Sequence, residues 1–222
     1  MQGKLIVFEG IDGSGKSTQS RLLAERLERE GHKTASFDFP QYGSKSVGLV
    51  EEYLAGKYGS AEEVGPYRAS IFYACDRYDA SFLLRTLLEE GRTIITDRYV
   101  GSNIGHQGGK IRDAKERETF FRWLHHLEYE IFGIPKPTQS FILNVGPAIA
   151  GRLAEDPERR KTKKKDLHEA DAKHLVAAHR AYMAAAKMFP KDFTVINCVK
   201  GGEILPADAI HEKVWKKVQE LL

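Results

Sequence analysis

The feature that most constrains this chain is the octapeptide Gly10-Ile11-Asp12-Gly13-Ser14-Gly15-Lys16-Ser17. It satisfies G-x-x-x-x-G-K-[ST] at every fixed position. An apolar run of strand length, residues 4–9, precedes it, and a helix-forming stretch follows. A strand, a tight glycine loop and a helix must therefore succeed one another. Glycines let the backbone curl so that successive N–H groups point inward at phosphate oxygens, and the helix N-terminus adds partial positive charge. Lys16 can reach the β- and γ-phosphates, and the Ser17 hydroxyl can hold Mg²⁺. Residues 10–18, Thr18 included, are thus the expected nucleoside triphosphate site. A glycine-rich turn with an accidental lysine is the bland alternative, weakened by correct flanks on both sides. The motif does not say what the phosphate is used for.

The remaining pattern alternates. Residues 33–39 read as a strand ended by Pro40, which has no N–H for a ladder. A short helix is predicted at 47–55, and a long one from Pro66 to about Glu90. Residues 93–97 form a β-branched strand ending in Asp97, and 101–109 read as a loop of small and polar residues. Further helices are predicted at 113–132, 147–154, 167–188 and 206–222, with strands at 139–145 and 193–198. This order predicts an α/β fold, a parallel five-stranded sheet flanked by helices, in one domain spanning 1–222.

Bulk properties exclude some classes. The net charge of +3 is too small to imply a nucleic-acid partner. No run approaches the roughly 18–20 apolar residues of a membrane span. Met1-Gln2-Gly3-Lys4 leads straight into a strand, so no leader is expected. Cys75 and Cys198 lie far apart in apolar contexts and read as reduced core thiols of a cytoplasmic protein.

Other residues carry possible chemistry. Asp97-Arg98 closes a strand of a P-loop chain, where ligands bind at carboxyl ends. Asp97 is expected in the Mg²⁺ shell and Arg98 on a phosphate. Tyr73 and Arg77 share a helix face. Spacing alone favours a core tyrosine beside a salt-bridged surface arginine over a base-and-phosphate site. Six basic residues lie between Arg159 and Lys165. They read as a solvated loop, a nucleic-acid patch, or a lid supplying arginines to a transferring phosphoryl group. Asp166 and Glu169 have capping-box spacing, which favours a helix cap. There is no Asn-Lys-x-Asp guanine reader and no Cys/His cluster with zinc spacing.

Taken together, these residues resemble the thymidylate kinase family. The resemblance runs nearly the whole chain: Phe8 to Thr18, Phe39-Pro40, Asp76-Arg77, Asp97-Arg98-Tyr99, Ser102-Asn103, Gln107-Gly108-Gly109, and the basic lid (about 155–167) running into Asp166-x-x-Glu169. It implies ATP as donor, dTMP as acceptor, Mg²⁺ near Ser17 and Asp97, and a homodimer formed through helices. Asp12 would contact the acceptor's sugar or the metal region. Phe39, Pro40 and Tyr73 would line the thymine site and Arg77 would recognise the base, against the spacing argument above. Arg98 would bind the dTMP phosphate, Asn103 and Gln107 would lie near the base, and Asp166 and Glu169 would approach as the lid closes. The P-loop variable positions hold no basic residue, so the resemblance gives the catalytic arginine to Arg159 or Arg160 of the lid. His106 stands where many bacterial relatives carry a Tyr that crowds a ribose 2′-hydroxyl. Alternatives left open are a kinase for dUMP or a deoxynucleoside, and a nucleic-acid-binding ATPase.

Overall fold

The computed structural model describes residues 3–154 and 172–222. Five strands, β1 (Lys4–Glu9), β2 (Thr34–Asp38), β3 (Thr93–Asp97), β4 (Gln139–Asn144) and β5 (Phe193–Asn197), form one sheet. Their order is β2-β3-β1-β4-β5, with every neighbouring pair parallel. Leu5 to Phe8, Ile94, Ile95 and Phe141 to Leu143 are all essentially inaccessible to water. A strand buried on both faces reads as a continuous apolar run, which is why these strands were visible in the sequence. Each such side chain contributes roughly 1.5–3 kcal/mol of burial free energy.

Register decides where the site forms. Phe8 pairs with Asp97, and Asp97 with Asp38. The carboxyl ends of β1, β2 and β3 are therefore level. The loop after β1 meets the residue after β3, with Arg98 N donating to Phe8 O at 2.9 Å.

Helices cover both faces. They are α1 (Lys16–Arg29), α2 (Gly48–Leu54), α3 (Ala61–Glu89), α4 (Val100–His106), α5 (Ala114–His125), α6 (Pro147–Ala154), α7 (Ala172–Met188) and α8 (Ala207–Gln219). α3 begins earlier than Pro66. Ser60 and Glu63 form a reciprocal capping box, and the helix breaks at Gly65 (φ 73°, ψ 165°) before restarting at Pro66. Pro66 has no N–H to lose at that break.

The stretch 101–109 is not the expected loop. It is α4 followed by a 3₁₀ turn at Gly108–Lys110. Two of its glycines allow close approach to α7. A Cβ on Gly105 would sit 2.2 Å from the Tyr182 ring, and one on Gly109 would sit 2.9 Å from the backbone of Ala177 and Ala178. The helix expected at 113–132 is α5 continued by a single π-helical turn, His126–Ile131. A short antiparallel hairpin, β6 (Val199–Lys200) with β7 (Glu203–Ile204), was not foreseen. Both cysteines are free, Cys198 buried and Cys75 only half-buried. Among the described residues, no helix is long and apolar enough to cross a membrane.

Candidate active site

The P-loop is shaped by its glycines. Gly10, Gly13 and Gly15 adopt φ of 138°, 79° and 90°, a region costly for residues with a Cβ. At Gly10 a Cβ would also lie 2.7 Å from Ser14 Oγ. Ile11 is buried in the core, so it offers a ligand only backbone. Gly15 caps α1 without a side-chain hydrogen bond, leaving the first N–H groups of the helix for an anion. Lys16 Nζ arches across the loop to Gly10 O (3.1 Å) and Ile11 O (3.0 Å). Burial, then the charge of Arg98, pushes Lys16 down to about 8. Ser17 and Thr18 open α1 directly beneath.

Arg98 faces this loop. It is a non-glycine residue at positive φ (73°), strain of about 1–3 kcal/mol that surrounding contacts must hold. Its Nη2 pairs with Asp12 Oδ1, joining the end of β3 to the P-loop. Its Nη1 reaches His106 Nε2 at 3.1 Å and Ser102 Oγ at 3.5 Å. A guanidinium only donates, so His106 Nε2 accepts and its Nδ1–H donates to His174 Nε2 at 3.1 Å. Burial holds His106 well below the usual imidazole range. Burial opposes ionisation of Asp12, but the groups around it, Arg98 first and then His106 and Lys16, together outweigh burial and hold the carboxyl far below its ordinary value.

Glu9 sits behind this pair, fully buried. Its carboxylate accepts from Tyr99 N (2.8 Å), Ser102 Oγ (2.7 Å) and the Tyr182 hydroxyl (3.1 Å). It ties β1, the start of α4 and α7 together, and burial raises its pKa. Asp97 acts electrostatically on both Lys16 and Arg98. Its carboxylate and the Ser17 hydroxyl are hard oxygens, the donor type Mg²⁺ takes. Among the described residues no cluster of three His, Cys, Asp or Glu forms a self-sufficient metal cage.

The second half of the site lies between α3 and α4. Arg77 is 2% exposed, not at the surface as its spacing alone suggested. It makes a two-point pair with Glu128 of the π-turn, Nε to Oε2 at 2.7 Å and Nη2 to Oε1 at 2.5 Å. Asn103 is buried beside it, donating to Ser70 O at 3.1 Å. Phe39, joined to Pro40 by a cis peptide, packs edge-on against Tyr99. Tyr73 lies edge-on to Tyr53 in a separate small cluster. Gln107 is buried and its Oε1 accepts from Lys110 Nζ at 2.7 Å.

The structure thus brings Asp12, Lys16, Asp97, Arg98 and His106 together, and Arg77 with Asn103 nearby. The expected residues Arg159, Arg160, Asp166 and Glu169, and the lid at 155–167, lie outside the described residues. Sequence reasoning missed Glu9, Ser102, Glu128, His174 and Tyr182. Glu128 is 51 positions from Arg77, and His174 is 68 from His106, so no local spacing could signal either pair.

This fold, with its P-loop and the arginine that faces it, defines a P-loop phosphotransferase. A profile of the thymidylate kinase family matches residues 8–206. A thymidylate kinase from Clavibacter sepedonicus is 30% identical over 211 residues, covering 94% of this chain and 93% of that protein. One from Mycobacterium tuberculosis is 30% identical over 174 residues, covering 76% and 78%. A solved thymidylate kinase from Candida albicans superimposes with a TM-score of 0.75 at 21% identity, covering 99% of this chain and 92% of that one. The chain belongs to the thymidylate kinase family, and with it to the nucleoside monophosphate kinases.

Proposed function

We propose that this chain transfers the γ-phosphoryl group of ATP to the phosphate of dTMP, yielding dTDP and ADP. The observation that carries this reading is the placement of Arg98, paired to Asp12 of the P-loop and braced by Ser102 and His106. An acceptor phosphate drawn to that guanidinium stands beside the donor phosphates. Bidentate recognition of phosphate is what a guanidinium does best.

Catalysis is then positioning and charge neutralisation, with in-line attack by an acceptor phosphate oxygen. The P-loop amides and Lys16 hold the donor. Ser17 and Asp97 would hold Mg²⁺, which when bound supplies charge neutralisation at the phosphates. Asp12 keeps Arg98 aimed until the acceptor arrives. The absence of a basic residue among Ile11, Asp12, Gly13 and Ser14 supports assigning a further charge to Arg159 or Arg160. The donor's base is assigned to the cleft lined by Asn144, Gly146, Ile149, His179, Asn197 and Val199, at the carboxyl ends of β4 and β5. Residues 1–222 act here as one cytoplasmic kinase domain, without nucleic acid or membrane. A homodimer is supported by exposed Ile71, Tyr78 and Phe82 along one face of α3, with Phe132 packed against Tyr78.

Arg98→Ala tests the assignment. It should lower kcat/KM for dTMP by about 10²–10³, the size expected for a lost charge-stabilising donor. Retained activity in that variant overturns the acceptor-phosphate role.

A further inference from the structure

We propose that Glu128 determines base specificity, by fixing the hydrogen-bond polarity that Arg77 and Asn103 present to the acceptor. The inference rests on the reading of this site as the dTMP site. It concerns a residue of the π-turn, a helix irregularity often found at functional sites.

The count of hydrogens carries it. Glu128 is fully buried, and its carboxylate can only accept. Oε2 takes Arg77 Nε–H at 2.7 Å, and Oε1 takes Arg77 Nη2 at 2.5 Å. Oε1 also faces Asn103 Nδ2 at 3.5 Å, whose other target is Ser70 O at 3.1 Å. Both Nδ2 hydrogens of Asn103 therefore point at protein acceptors. What Asn103 has left for a ligand is its Oδ1, an acceptor. Flipping the amide would set Oδ1 against a carboxylate and a carbonyl, two repulsive contacts in a buried place.

Arg77 is oriented by the same carboxylate. Its Nε/Nη2 edge is occupied, and Nη1 reaches Tyr99 O at 3.4 Å. One hydrogen on each terminal nitrogen remains. A donor (Arg77) therefore stands beside an acceptor (Asn103). Thymine offers the matching edge, a carbonyl O4 beside N3–H. Cytosine offers the reverse, an exocyclic amine beside an unprotonated ring nitrogen. Asn103 also lies on α4 between Ser102 and His106, both in contact with Arg98, so the base edge and the phosphate are read from one helix.

A neutral amide at position 128 removes this constraint. Glutamine can donate to Asn103 Oδ1 as readily as accept from Nδ2, so the polarity is no longer set. The test is kcat/KM for dTMP and for dCMP, at saturating ATP, in the wild type, Glu128→Gln and Glu128→Asp. The wild type should strongly prefer dTMP. In Glu128→Gln the dTMP-to-dCMP ratio should fall at least about tenfold, since a site built on paired polar groups owes its rejection to them. Glu128→Asp keeps the charge but withdraws it from Asn103, and should give an intermediate ratio. An equal loss for both acceptors in Glu128→Gln, with the ratio unchanged, overturns the proposal and leaves Glu128 a purely structural partner of Arg77. If Glu128→Gln does not fold, as judged by circular dichroism, the ratio in Glu128→Asp decides in the same sense. A wild type without preference for dTMP would overturn the acceptor reading itself, before any variant is compared.

Discussion

Lys16 shows how one buried residue sets the working range of the site. Its charge is the one proposed to meet the donor phosphates, yet burial and Arg98 push its pKa down to about 8. In the free enzyme that charge is lost as pH rises through about 8. Because kcat/KM reports the free enzyme, kcat/KM for ATP should fall on an alkaline limb centred near 8. Stability moves the other way. The unfolded chain keeps the proton to the ordinary lysine range near 10.4, so between these values the unfolded state binds more protons and folding becomes more favourable with pH. A pH–rate profile that stays flat to pH 10 would contradict this account of Lys16. Placement was legible where a residue sat inside a motif: Lys16 arches over the P-loop and Arg98 reaches Asp12. It was illegible where the partner lies far along the chain, as for Arg77 with Glu128. Spacing showed an arginine on a helix face, and only the tertiary fold supplied its carboxylate.

At the scale of the element, α4 is the instructive misreading. Gly101, Gly105, Gly108 and Gly109 looked like a loop because glycine lowers helix propensity. The packing of α4 on α7 overrides that preference. At Gly105 and Gly109 glycine is required because Tyr182 and the α7 backbone occupy the space a side chain would need, while Gly101 is held against Glu9 and Gly108 against Phe121 of α5. The contact of α4 with α7 places Tyr182 on Glu9 and His174 on His106, so the helix that follows the undescribed segment touches both sides of the Arg98 site. Gly105→Ala should therefore cost about 1–3 kcal/mol of stability through overpacking. The expected readout is a lower denaturant midpoint with unchanged slope. A midpoint equal to the wild type would show that α7 can yield and that the glycine is not a packing requirement. The central strands posed no such problem. β1, β3 and β4 are buried on both faces and leave apolar runs too short for a helix, bounded by turn residues.

The whole molecule is a parallel sheet whose level carboxyl ends bring the loop after β1 against Arg98 at the end of β3. That arrangement was foreseeable from element order, because parallel strands must be joined by crossover helices of one hand. α3 leaves part of an apolar face uncovered. Phe82 is 58% exposed and Tyr78 packs on it edge-on, with Phe132 on the other side. An apolar stripe of this kind on a long helix calls for a partner, and a second copy of the chain is the proposed one. Sedimentation should give a dimer for the wild type and a monomer for Phe82→Glu. A monomeric wild type would remove the dimer from the account.

The central claim is that the P-loop and the arginine that faces it serve one phosphoryl transfer, from ATP to dTMP. The direct measurement is product formation from ATP with dTMP, dUMP, dCMP, dGMP or thymidine, and in the presence of DNA. Separated products should show dTDP and ADP in equal amounts, with dTMP giving the highest kcat/KM. Faster turnover of thymidine or dCMP, or ATP hydrolysis stimulated by DNA without a phosphorylated acceptor, would contradict it.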